Sequence, residues 1–230
     1  MQALREECCV PDFAQDAEVT HEAKRERRVA LLARRRALPE AVRRDAAARV
    51  QAELVALVRR LRPGRMAAYA PVGTEPGGPD LPTVLADALP AGAQLILPVL
   101  RDDLDLDWAA WAGPAAMVAA GRGIREPASP RLGVAAIAAA ELVVLPALAV
   151  DRRGVRLGRG GGSYDRALAR LAATARTVVP LYDGELLDAL PAEPHDRPVR
   201  AVVTPTGGLH PLAAPSGVVP HTSAGRIRGR

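Results

Sequence analysis

The chain has 230 residues, two adjacent cysteines and a net charge of +5, and its apolar share of 49% is ample for a core. That length fits one domain with ragged ends, or a domain with a small appendage. Cys8 and Cys9 form neither a disulfide framework nor metal-ligand spacing, in keeping with a reducing cytosol. The N-terminus lacks an apolar signal core, and no apolar run approaches the ~18 residues of a membrane span. A cytoplasmic protein with no membrane partner is expected. Apolar residues are mainly Ala, Val and Leu, which suits helices layered on a sheet.

Residues 1–20 show no periodicity and read as a disordered leader. From Glu22 the pattern is helical and charged as far as Leu38-Pro39. A second helix starts near Glu40, with Val50, Leu54, Leu57, Val58 and Leu61 on one face and Pro63-Gly64 as its stop. Met66 to Tyr69 reads as a short buried strand leading into the loop Ala70 to Pro79. Leu81 to Leu89 is helical, Gln94 to Val99 is a strand, and Leu104 to Trp111 alternates like a strand nearer an edge. Residues 121–130 are turn-rich, and Leu142 to Pro146 is the most plainly buried strand. A helix over Ser163 to Arg170 precedes strands at Thr177 to Leu181 and Val199 to Val203. Strands alternating with helices predict right-handed crossovers. The expected fold is therefore one three-layer, Rossmann-like α/β domain over residues 21–205, with a largely parallel sheet flanked by helices. Residues 206–230 are rich in Gly, Pro, Ser and His and read as a disordered basic tail.

The run Arg156-Leu157-Gly158-Arg159-Gly160-Gly161-Gly162-Ser163-Tyr164-Asp165 lies between a buried strand and a helix. Glycines let successive backbone N–H groups turn toward an anion, and the helix N-terminus adds the positive end of its dipole. Arg156 and Arg159 add full charges with bidentate donors for phosphate oxygens. The segment reads as a phosphate-holding loop, against the alternative of a glycine-rich surface loop. A Walker A loop is excluded because no lysine stands there. A dinucleotide fingerprint is excluded because Ser163 occupies its third glycine and residues 150–157 intervene after the strand.

Lys24 is the only lysine among 31 basic residues, so its retention singles it out. The arginines of Arg25 to Arg60 permit nucleic-acid binding, but no aromatic residues interleave with them as a stacking platform would require. A solvated helix face is the simpler reading, and no nucleic-acid partner is expected.

The succession Asp151-Arg152-Arg153-Gly154-Val155 followed by Arg156 to Arg166 resembles the signature of the 5-formyltetrahydrofolate cyclo-ligases. Lys24-Arg25-Glu26-Arg27-Arg28, Tyr69 to Glu75, Ile124-Arg125-Glu126-Pro127 and Leu190 to Thr204 are similar to further family blocks, in the same order. The resemblance spans roughly Ala23 to Pro205. It implies ATP- and Mg²⁺-dependent cyclisation of 5-formyltetrahydrofolate to 5,10-methenyltetrahydrofolate, with release of ADP and phosphate. The formyl oxygen attacks the γ-phosphate, N10 closes onto the activated carbon, and phosphate departs. A non-catalytic nucleotide- or folate-binding homologue is the alternative, kept open by Ser163 where family members commonly carry a second tyrosine.

Carried over residue by residue, the resemblance implies an ATP site from Lys24, Arg25, Glu26, Arg27 and Arg28 together with Arg156, Leu157, Gly158, Arg159, Gly160, Gly161, Gly162, Ser163 and Tyr164. Lys24 and Arg159 are the expected catalytic cations. Ala70 and Glu75, with Arg159 to Ser163, are expected to hold the reduced folate, Glu75 by pairing with the pterin edge. Asp165 and Asp196 are the expected Mg²⁺ ligands. Trp108 and Trp111 are assigned to packing, and a monomer is expected.

Overall fold

Between Pro11 and Pro39 no proline or glycine interrupts the chain, and α1 runs unbroken over Phe13–Ala37. The computed structural model describes residues 13–121, 123–193 and 196–212, with side chains from His21 onward. Helix α1 thus starts before Glu22, which corrects the expected leader: residues 13–20 are helical because no breaker stops the helix short of them. Residues 1–12 of the expected leader lie outside the described residues. Helix α2 (Glu40–Leu61) buries Val50, Leu54, Leu57 and Val58 as its periodicity requires. It ends at Arg62 in a left-handed conformation (φ 48°), just before Pro63.

Short buried strands follow: β1 (Arg65–Ala67), β2 (Gln94–Leu100) after helix α3 (Leu81–Ala88), and β3 (Leu106–Ala110). A hairpin of β4 (Met117–Ala119) and β5 (Arg125–Pro127) precedes β6 (Leu142–Val144), β7 (Ala149–Asp151) and β8 (Arg156–Leu157). Helix α4 (Ser163–Leu168), β9 (Arg176–Pro180), β10 (Leu186–Leu187), β11 (Ala201–Thr204) and β12 (Gly208–Pro211) complete the described chain.

The main sheet has the order β12-β11-β9-β6-β1-β2-β3. Its inner pairs are parallel, while β12 and β3 close the two edges antiparallel. Alternation assigns its two faces. Met66, Leu95, Leu97, Leu142, Val144, Val178 and Val203 pack against α2 and α3. Ala67, Ile96, Val143, Val179 and Val202 face the other way, where Trp108, Ile137, Ala167 and Leu168 cover them. The largely parallel, three-layer expectation is met.

The structure extends one expectation and corrects another. The turn at Asp151 to Gly154, expected between the buried strand and the glycine loop, joins β7 and β8 as an antiparallel hairpin, and β10 pairs with β7 to complete a small second sheet. The fully buried Asp151 fixes that turn by accepting the N–H groups of Arg153, Val155 and Leu190 and the Arg153 guanidinium. Structure does not end at Pro205, since residues 208–211 pair with β11 in a tight hairpin. Polar and glycine residues there hide the strand because it is an edge, half-buried and paired on one side only. Residues 213–230 lie outside the described residues. Among the described residues no helix is long and apolar enough to cross a membrane.

Candidate functional site

From β1 the chain crosses to β2 on one side, whereas β6, β9 and β11 succeed one another on the other side. A crevice forms at such a switch point, outside the carboxyl ends of the strands. Here it is a cavity of about 590 Å³. Tyr69 and Ala70 enter it after β1, Pro146 to Leu148 after β6, and Leu97, Pro98 and Leu100 from β2. The glycine loop, α1, Glu75, the segment Ile124 to Glu126 and the pair Glu193 and Asp196 form most of the remaining wall.

Helix α1 offers the cavity one stripe. Lys24, Arg28, Leu31 and Arg35 recur at helical spacing, and Lys24, Arg28 and Arg35 line the cavity. Leu31 packs on Leu148 and Leu157, anchoring the helix beside the loop. Arg25, Glu26 and Arg27 are exposed and do not line the cavity. Arg25 instead pairs with Glu22 along the outer face. Lys24 is buried, its Nζ 2.5 Å from Glu193 Oε2 and 3.1 Å from Asp196 Oδ2. Asp196 also accepts the Glu193 N–H. Arg28 donates from Nε to the Gly158 carbonyl at 3.0 Å, tying α1 to the loop. Farther along, Arg35 forms a buried bidentate pair with Glu185 and donates to the Ala147 carbonyl.

Within the loop, Arg156 is buried, donates to Asp165 Oδ1 at 2.7 Å and stands 5.8 Å from the Tyr164 ring centroid. Its Nε is buried with no acceptor among the protein atoms, an uncommon state for a guanidinium. A Cβ at Gly158 would lie 2.8 Å from Arg156 Nη1, so any side chain there displaces that guanidinium. Gly162 caps α4 with φ +66°, a conformation that glycine adopts freely. Asp165 occupies the first turn of α4.

Arg159 reaches across the cavity mouth to Glu75, with Nη2 and Nε at 3.0 and 3.2 Å from Oε1. The other Glu75 oxygen accepts the Val72 N–H at 2.9 Å. Two neighbouring phenols feel that carboxylate. Burial and then the Glu75 charge push Tyr69 well above its ordinary pKa, and the same two causes raise Tyr164. Tyr69 donates its hydroxyl to the Pro76 carbonyl, which fixes the loop carrying Glu75.

The cavity thus collects Lys24, Arg28, Ala70, Glu75, residues 156–165 and Asp196. Trp108 is fully buried in the core and Trp111 packs at the margin of the α2 face, so both belong to packing. Arg27 and Arg200 are exposed and do not line the cavity. Sequence reasoning missed Glu193 as the Lys24 partner and Glu126, a buried carboxylate in the wall. Among the described residues no three His, Cys, Asp or Glu side chains converge as a metal centre. A separate hollow of about 360 Å³ between α1, α2 and the Tyr182 turn includes none of the glycine loop.

Known proteins resemble this chain in both sequence and fold. The family model described as the 5-formyltetrahydrofolate cyclo-ligase family matches residues 20–205. A 5-formyltetrahydrofolate cyclo-ligase of Mycolicibacterium smegmatis is 44% identical over 192 residues, 81% of this chain and 96% of that protein. The Escherichia coli K12 enzyme of the same name is 37% identical over 84 residues, covering 36% of this chain and 46% of its own. Among solved structures, the Aquifex aeolicus 5,10-methenyltetrahydrofolate synthetase superposes with a TM-score of 0.66 at 26% identity, covering 87% of this chain and 98% of that one. The Mycoplasma pneumoniae synthetase, at 18% identity and a TM-score of 0.61, shares the fold over 78% of this chain and 96% of its own. The chain belongs to the 5-formyltetrahydrofolate cyclo-ligase family.

Proposed function

We propose that the protein cyclises 5-formyltetrahydrofolate to 5,10-methenyltetrahydrofolate with ATP and Mg²⁺, releasing ADP and phosphate. The observation that carries this reading is one cavity lined both by the phosphate-type loop with Arg156 and Arg159 and by Glu75. Family membership supplies the reaction. A formyl oxygen is a weak nucleophile, so the protein's contribution is alignment with the γ-phosphate and neutralisation of developing charge.

Arg156 is held by Asp165 and Tyr164, and its buried Nε lacks an acceptor that a phosphate oxygen would provide. Arg159 is the exposed counterpart, paired to the Glu75 carboxylate at the cavity mouth. Lys24 and Arg28 bring further positive charge from α1. Glu75 can accept two parallel N–H donors from the pterin edge, which orients N5 and N10. Apolar Leu97, Leu100 and Leu106 shield the ring from water.

The carboxylates fit Mg²⁺, which takes one or two protein oxygens and completes its shell with phosphate and water. Asp165 at the start of α4 and Asp196 beside Lys24 would hold it. When bound, the ion neutralises charge on the phosphate oxygens. We further assign the protein to the cytoplasm as a monomer. The test is purified protein with 5-formyltetrahydrofolate, followed by methenyl absorbance. Absorbance should rise with Mg·ATP and stay flat when either ATP or Mg²⁺ is withheld. No rise under any condition would refute the assignment.

A further inference from the structure

Glu126 is a buried carboxylate that the mechanism leaves unused. It lies in β5, only 6% exposed, in the wall of the main cavity. Its Oε1 accepts the Leu100 N–H at 2.7 Å. Its Oε2 meets only a long contact of 3.8 Å to Arg131, whose side chain is half exposed. A carboxylate removed from water is costly unless its oxygens are satisfied, and one strong bond uses little of its accepting capacity. Leu100, its cross-strand partner Leu106 and nearby Ile124 make this part of the wall apolar.

A flat heterocycle with apolar faces and N–H donors on its rim suits such surroundings. A tetrahydropterin carries several N–H donors. Glu75 has oxygens for about two of them, and any other buried donor left without an acceptor weakens binding. Resting on the folate reading of the cavity, we propose that Glu126 is a second pterin-holding carboxylate, accepting a ring or amino N–H at the cavity's apolar end. The competing role is a plain brace between β5 and the Leu100 backbone.

Glu126→Gln separates the two, because the amide oxygen can still accept the Leu100 N–H. Calorimetric affinity for 5-formyltetrahydrofolate, measured without nucleotide, should fall about tenfold or more. The KM for Mg·ATP should move by less than about twofold. Unchanged folate affinity, or equal losses for both ligands, would overturn the proposal. A measurement on the unaltered protein does not depend on how the variant folds. The Leu100 amide resonance should shift on adding 5-formyltetrahydrofolate and stay in place with Mg·ATP, whereas an unmoved resonance with folate would also overturn it. A wild type that binds the folate but does not cyclise it counts against the cyclo-ligase reading alone. One that binds no reduced folate overturns both.

Discussion

Replacing Glu75 by glutamine should move the two substrates' affinities in opposite directions. In the free protein Glu75 holds Arg159 through Nη2 and Nε at 3.0 and 3.2 Å. That pair competes with a phosphate for the Arg159 guanidinium. Arg159 is 57% exposed and Glu75 11%, so the pair is screened on one side. Such a pair contributes roughly 0.2–1 kcal/mol, and releasing it should tighten Mg·ATP binding about 1.4- to 5-fold. The same change removes the charge and one of two acceptors offered to the pterin. Folate affinity should then drop by about tenfold or more, from the ~1.5–3 kcal/mol typical of hydrogen bonds to charged groups. Titration calorimetry of wild type and variant with each ligand alone reads both signs. Weaker Mg·ATP binding, or an unchanged folate affinity, would refute the reasoning.

Other perturbations follow from the same contacts. Gly158→Ala places a Cβ 2.8 Å from Arg156 Nη1 and should push that guanidinium off Asp165; kcat/KM for ATP should fall about tenfold with little change in melting temperature. Glu185→Ala strands the buried Arg35 and should cost about 3–5 kcal/mol in chemical denaturation; a loss under about 1 kcal/mol would show that water reaches the pair. Burial and the Glu75 charge hold Tyr69 protonated in the fold, where an unfolded tyrosine ionises near pH 10. This stabilisation is complete below about pH 10 and is lost as pH rises beyond it. Stability should therefore be flat in Tyr69's contribution up to about pH 10 and fall above it, and Tyr69→Phe should flatten that alkaline fall.

Long periodic elements were legible in the sequence because burial on one face leaves a repeat. The α2 stripe of Val50, Leu54, Leu57 and Val58 is an example, and so is the doubly buried Leu142 to Val144. The strands β7, β8, β10 and β12 were not legible, since two to four residues carry no measurable period. On α1, the basic block was visible as a block, but only rotation about the helix separates Lys24 and Arg28 from the exposed Arg25, Glu26 and Arg27. Glu75 and Arg159 are 84 positions apart, and their contact arises because the loop after β1 and the glycine loop after β8 line one crevice. Glu193 stood in an irregular segment without a local pattern, so its pairing with Lys24 emerged only from the fold.

The central claim is that one cavity couples phosphoryl transfer to closure of the folate ring. Counting ADP released against methenyltetrahydrofolate formed, in the same reaction, tests it most directly. One ADP per methenyl group is expected, with neither product made when the other substrate is absent. Methenyltetrahydrofolate formed without ADP, or ADP released at the full rate without folate, would contradict it.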